Sequence, residues 1–164
     1  MDKEIQKILN KLISEEWIAG QLYKLFIQAI KPEYLSTVFD AFEETATDEI
    51  NDHMANLIVF ARKYKYTIPV NYKDFNKFAG KDDVKQFESF KSDQDAKYYL
   101  EEAIASEQRA IATYADIIKK LEEMNQTDKL IELISICTNN WYDEIEHSNT
   151  FLFLKYQVEA LNIY

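Results

Sequence analysis

The stretch DEIEH, residues 143–147, places a glutamate and a histidine three positions apart in the middle of a long apolar stripe. A second stretch, DEINDH at residues 48–53, repeats this combination with a spacing of four. The chain has no other histidines. Residues three or four apart share a helix face, so Glu49 with His53 and Glu144 with His147 each offer carboxylate and imidazole ligands together. The sequence therefore predicts a metal site between helices.

Apolar residues recur every three or four positions in four long segments, which predicts four long helices. The predicted helices cover about residues 2–30, 33–64, 92–121 and 128–158. Glutamates interrupt the apolar stripes of the first and third helices, at Glu16 and Glu107. Boundary residues are predicted from capping and proline rules: Pro32 as the stop after the first helix, and Ser92, Asp93 and Thr127 as N-caps.

The connections between the predicted helices define a topology. Those near Pro32 and near residues 125–127 are short and so predict antiparallel hairpins, whereas residues 65–91 form a long polar crossover with a short helix around Tyr72–Ala79. The chain has only two glycines and two prolines, too few for a many-stranded sheet. We therefore predict an all-α four-helix bundle, one domain over residues 1–164, with the crossover between the second and third helices.

Counting residues from the turns predicts that the interrupting polar residues are level. Glu16 lies 16 residues before Pro32 and Glu49 lies 17 after it. Both are therefore about 25 Å from the turn at a helical rise of about 1.5 Å per residue. Glu107 and Glu144 are similarly placed about their own turn. Four buried carboxylates require compensation, and with two neutral histidines they balance two divalent cations, for which iron or manganese is the best match.

Composition excludes several classes of protein. The net charge of −10 and the pI near 4.7 disfavour binding to nucleic acid or to an anionic membrane surface. Cys137 is the only cysteine, so the chain has no intramolecular disulfide and no cysteine-rich metal site. No segment predicts a membrane span, and Met1 to Lys7 resembles neither a signal peptide nor a basic DNA-binding arm. We expect a cytoplasmic protein.

These residues resemble the ferritin-like di-iron carboxylate superfamily, and most closely its Dps-like and bacterioferritin-type members. The fourth-helix run DEIEH is similar to their Asp-Glu-x-x-His motif, and Glu107 followed by Tyr114 is similar to their third helix. Glu16 followed by Tyr23 is similar to the first helix. The resemblance covers essentially the whole chain and implies a site within one subunit. It implies six metal ligands that also carry the catalysis: Glu16, Glu49, His53, Glu107, Glu144 and His147.

The same resemblance implies a role for each ligand. Glu49 and Glu144 would bridge two iron ions, while the other two glutamates and the two histidines would each bind one metal. Two departures from the pattern bear on this expectation. The second helix has Ile50 where a Glu-x-x-His motif has its glutamate, although Glu49 keeps the same helix face and a local π-helical turn is one way to adjust it. Asn51 replaces the haem-binding methionine of bacterioferritins, so we expect no haem.

Two further groups of residues lie near the predicted ligands. Tyr23 and Tyr114 have the helical spacing typical of core packing, and hydrogen bonding to the ligand carboxylates or electron transfer is the alternative. Acidic residues beside the motifs are predicted to form a solvated helix face rather than part of the site; they are Glu43, Glu44, Asp48, Asp52, Asp143 and Glu146.

The resemblance implies a ferroxidase, which oxidises Fe(II) to Fe(III) with O2 or H2O2 for iron storage and for protection from peroxide. It also implies a homo-oligomer, and the short segment after the fourth helix favours a 12-subunit cage. Two alternatives remain open. One is a non-storage oxidoreductase, either a rubrerythrin-like peroxidase or a dimanganese catalase, and the other is a shell or cargo protein with a degraded metal site.

Overall fold

The computed structural model describes residues 1–30 and 36–161. All the regular secondary structure in this part of the chain is helical, without any strand. Its elements in chain order are α1 (Asp2–Ala29), α2 (Ser36–Thr47), a π-helical segment (Asp48–Met54), α3 (Ala55–Lys63), α4 (Tyr72–Phe78), α5 (Lys81–Glu88), α6 (Ala96–Glu122) and α7 (Asp128–Ala160).

Four long rods form the bundle, and the second of them is composite. The backbone stays helical at Thr47 and Ala55, so α2, the π-helical segment and α3 are one continuous rod. Around the bundle, α1 lies beside this rod, the rod lies beside α7, α7 packs closely on α6, and α6 returns to α1. The predicted all-α four-helix bundle with a long crossover between the second and third helices is confirmed.

The crossover contains two short helices that pack on α1. The predicted helix around Tyr72–Ala79 is present as α4, where Phe75 stacks on Trp17 with ring centroids 4.6 Å apart. The following helix, α5, was not predicted, because its short charged sequence has only two apolar residues, Val84 and Phe87. It also reaches α6, since Asp83 of α5 accepts a hydrogen bond from Arg109 at 2.9 Å.

The predicted helix boundaries are correct in part. Thr127 caps α7 by accepting a hydrogen bond from the backbone N–H of Leu130. The predicted caps of the third helix are wrong, because Asp95 accepts the hydrogen bond from Tyr98 N–H at 2.8 Å and α6 begins there, after Asp93 has turned the chain with a φ of 61°. The predicted stop at Pro32 and the start of the second helix near residue 33 lie outside the described residues.

The buried apolar side chains form two clusters, one at each end of the bundle. Along α1 the first cluster ends at Ile18 and the second begins at Leu22, and along α7 they are separated by residues 138–150. Where the two clusters meet, all four rods carry buried polar side chains. The fold therefore encloses a polar layer between two apolar layers. Among the described helices, none is both long and apolar enough to cross a membrane.

Candidate metal centre

Six side chains from the four rods meet in this polar layer. The structure brings together all of the residues that the sequence singles out. Five of them are almost completely buried, and the sixth, His147, has 11% of its side chain exposed. They are Glu16 of α1, Glu49 and His53 of the π-helical segment, Glu107 of α6, and Glu144 and His147 of α7.

Their potential ligand atoms fall into two overlapping groups. Within each group, one ligand atom from every residue lies within 4.8 Å of the others. Glu49 and Glu144 belong to both groups, which is the arrangement that two neighbouring cations with shared carboxylates require. The first group adds Glu16 and His53, and the second adds Glu107 and His147.

One atom of each of these side chains is buried without a hydrogen-bond partner. His53 Nδ1 lies 2.8 Å from Glu144 Oε1, but the contact does not have hydrogen-bond geometry. An unpaired buried polar group destabilises a fold by about 1–3 kcal/mol, and more if it is charged. Cations between these atoms would remove the penalty. The unpartnered atoms are Glu16 Oε2, Glu49 Oε1, Glu107 Oε2, Glu144 Oε1 and the Nδ1 atoms of His53 and His147.

The π-helical segment positions Glu49 and His53. Its backbone N–H groups donate hydrogen bonds to the carbonyl of the fifth preceding residue, instead of the fourth as in an α-helix. Each hydrogen-bonded turn of the rod therefore contains one more residue. This wider turn suits the four-residue spacing of the pair, which is one longer than in DEIEH. Ile50 packs against Gly20 of α1, where an added Cβ would lie 2.5 Å from Ile50 Cδ1. Only glycine at this position leaves space for Ile50.

Two tyrosines donate hydrogen bonds to Glu16 and Glu107, the glutamates that each belong to only one ligand group. The hydroxyl of Tyr23 donates to Glu107 Oε1 at 2.6 Å, and the hydroxyl of Tyr114 donates to Glu16 Oε1 at 2.5 Å. Asn140 donates in turn to the Tyr114 hydroxyl at 3.1 Å. Each tyrosine therefore fixes one carboxylate oxygen and leaves the second directed to the centre. Core packing, the interpretation that spacing favoured, describes these rings only in part.

Two aspartates bind the histidines across the bundle. His53 Nε2 lies 3.0 Å from Asp143 Oδ2, and His147 Nε2 lies 2.9 Å from Asp48 Oδ2. A carboxylate on one ring nitrogen orients the imidazole and leaves the other nitrogen, here Nδ1, to a metal. The prediction of a solvated face is incomplete for Asp48 and Asp143, which are partly exposed but also contact the histidines. The available signal was that an aspartate directly precedes the glutamate in both motifs.

The electrostatics of the centre reflect crowded buried carboxyls. Burial raises the pKa values of Glu49 and Glu144 well above the ordinary value, and neighbouring carboxylates raise them further. Burial alone would lower the pKa of each histidine, but the surrounding carboxylates raise it to about 11 for His53 and about 12 for His147. Without metal, protonated His53 and His147 therefore supply positive charge that cations would otherwise provide.

The donor set matches particular metals. Four carboxylates with two imidazoles and no thiolate suit iron or manganese, and their four negative charges balance two divalent ions. Cys137 is buried, burial raises the pKa of its thiol to about 12, and the residue belongs to neither ligand group.

Comparisons with known proteins give one informative result. No protein-family model matches the sequence, and no curated protein does either. A solved structure does match: a dodecameric thioferritin, the bacterioferritin-related protein of Bacteroides fragilis. It superposes with a TM-score of 0.79 at 20% identity, over 98% of this chain and 89% of that chain. This likeness shows the fold alone: the chain has the helical-bundle fold of that protein, in agreement with the fold that the sequence resemblance implies.

Proposed function

We propose that this ferritin-like chain binds two Fe(II) ions and oxidises them to Fe(III) in the cytoplasm. The observation that carries the proposal is the convergence of six buried, unpartnered ligand atoms into two groups that share Glu49 and Glu144. Iron is the substrate here. The chain supplies a low-dielectric site in which carboxylates stabilise the higher charge of the ferric ion.

The proposed reaction needs a two-electron oxidant. Each Fe(II) ion loses one electron, and H2O2 takes up both electrons with two protons to give two water molecules. With O2 the same two electrons and two protons give H2O2. Glu16 and Glu107, each held by a tyrosine, would be terminal ligands, while His53 and His147 would each bind one ion through Nδ1.

We further propose that the oxidised iron is stored inside a cage of about twelve chains. The structural neighbour is a dodecamer, which supports a cage for this chain by analogy only. Three exposed apolar side chains of α7, Ile131, Tyr142 and Phe153, also lie eleven residues apart and so share one helix face, with polar residues between them.

The test is anaerobic titration with Fe(II), followed by addition of O2 or H2O2 and then size-exclusion chromatography with iron analysis. The proposal expects two Fe(II) ions bound and oxidised per chain, and ferric iron retained in a particle of about twelve chains. A dimer that turns over peroxide without accumulating iron would favour the rubrerythrin-like or dimanganese alternative. A chain that binds no metal would favour the degraded shell protein.

A further inference from the structure

A small cavity adjoins the centre on the side opposite the histidines. It holds about 20 Å³, roughly the space of one water molecule. Glu16 and Glu49 line its inner end, and both carry a buried carboxylate oxygen without a partner. It lies between α1 and α6, which pack on each other less closely than α6 packs on α7. Small side chains leave this gap, among them Ala19, Ser106 and Ala110.

Two further carboxylates, Glu15 of α1 and Asp83 of α5, line the outer end of the cavity. Both approach Gly80, where an added Cβ would lie 3.1 Å from Asp83 Oδ2 and 3.9 Å from Glu15 Oε1. Glu15 Oε1 binds Lys11 Nζ at 3.0 Å, while Glu15 Oε2 is buried without a partner. The cavity thus has carboxylates at both ends, and each end has an unsatisfied oxygen.

Two positive side chains bind the carboxylates at the outer end of the cavity. Arg109 Nε binds Asp83 Oδ1 at 2.9 Å and also donates to Gln86, so its guanidinium lies over the α5 side of the cavity. Lys11 is half-exposed on a flexible side chain. On the opposite side of the centre, the imidazole rings and their aspartates stand between the ligands and solvent. On the α1–α6 side, a cation meets the carboxylates of Glu15 and Asp83 first and then those of the ligands Glu16 and Glu49.

We propose that divalent cations enter the centre through this acidic passage, with Glu15 and Asp83 holding the ion on the way in and Arg109 opposing its entry. The inference rests on the proposed function, because it concerns the route to the same two-metal site. Carboxylates at the mouth of a low-dielectric cavity raise the local cation concentration and the association rate, and a guanidinium lowers both.

The test measures the rate of Co(II) binding to the full chain by anaerobic stopped-flow absorbance, with equilibrium stoichiometry measured alongside. Asp83→Asn and Arg109→Gln break the same ion pair but change the charge of the passage in opposite directions. We expect Asp83→Asn and Glu15→Gln to slow binding by about tenfold and Arg109→Gln to speed it. All three should still bind two ions at equilibrium. Glu132→Gln, which removes a surface glutamate paired with Lys63 at 2.9 Å, is the matched control and should leave the rate unchanged.

The outcomes separate the inference from the function. The passage is overturned if Asp83→Asn and Arg109→Gln shift the rate in the same direction, as loss of a structural ion pair would. It is also overturned if neither carboxylate variant slows binding, or if Glu15→Gln lowers the stoichiometry. If Glu15→Gln does not fold, the rates of Asp83→Asn and Arg109→Gln still test the passage. A wild-type chain that binds no Co(II) overturns the proposed function itself, and the passage with it.

Discussion

The second and fourth rods of the bundle carry the same ligand pair on different backbones. In α7 the glutamate and histidine are three residues apart in regular α-helix, whereas in the second rod they are four apart within the π-helical segment. Both pairs nevertheless bring one carboxylate oxygen and one Nδ1 to the centre. The extra residue of the second rod is absorbed by the wider turn and by the space above Gly20.

This difference shows that side-chain position, rather than motif spacing, defines the centre. The hydrogen bonds around it follow the same pseudo-symmetry, because each half supplies an aspartate to the histidine of the other half. The halves differ in exposure: Asp48 has 28% of its side chain exposed and Asp143 has 49%. The predictions below use these differences.

The largest expected effect is the loss of a shared carboxylate from either half. Glu49→Ala and Glu144→Ala should each lower Fe(II) stoichiometry from two per chain to one or none and abolish the fast phase of oxidation, because each glutamate belongs to both ligand groups. Anaerobic titration and stopped-flow oxidation measure these quantities. Glu146→Ala, an exposed residue of the same helix, is the control. If only Glu144→Ala has an effect, the π-helical half does not take part.

Metal binding should be strongly pH-dependent in both halves. The pKa values of about 11 for His53 and about 12 for His147 mean that both imidazoles hold protons at neutral pH without metal. Burial and neighbouring carboxylates also raise the pKa values of Glu49 and Glu144, which favours their protonated forms. A metal must displace those protons, so affinity should rise with pH, by about tenfold per pH unit for each proton released. Calorimetry of Mn(II) binding in buffers of different ionisation enthalpy counts the protons. Binding without proton release would contradict the pKa assignments.

The cross-bundle aspartates should have an intermediate effect. Asp48→Asn and Asp143→Asn should each weaken metal binding by about 10–100-fold, because the imidazole loses its orienting carboxylate. Asp48→Asn should be the more severe, since water screens the more exposed Asp143. Competition titration with a metal chelator gives both affinities, with the exposed Asp40→Asn as control. Wild-type affinity in both variants would mean that the aspartates do not position the histidines.

The smallest expected effect concerns the contact between Gly20 and Ile50, which is present in the first half of the chain only. Gly20→Ala should destabilise the fold by about 1–3 kcal/mol, because its methyl group would overlap Ile50. The chain's only other glycine, Gly80, lies in the crossover. Helix α6 therefore has no glycine facing α7 that would correspond to Gly20 facing the second rod. In an Ile50→Ala background the same substitution should be nearly neutral. Urea unfolding of the four members of this cycle measures the coupling, and additive effects would show that Ile50 and Gly20 do not interact.

The sequence predicts the bundle and the composition of the centre better than it predicts their contacts. Periodicity assigns each residue to a helix face, and the polar interruptions at Glu16 and Glu107 then identify the buried layer. The face does not determine which rod supplies a partner, so the bonds from Asp48 and Asp143 to the opposite histidines were missed. The cap at Asp95 was missed because several adjacent polar residues have similar capping preference. The extent of the π-helical segment depends on packing against α1, which local sequence does not encode.

The most direct test of the central claim is anomalous diffraction from crystals grown with Mn(II), or soaked in Fe(II) under anaerobic conditions. The account predicts two anomalous peaks per chain between α1, the π-helical segment, α6 and α7. Glu49 and Glu144 should contact both ions, while His53 Nδ1 and His147 Nδ1 contact one each. An absence of peaks there, or peaks only among exposed carboxylates on the surface, would contradict it.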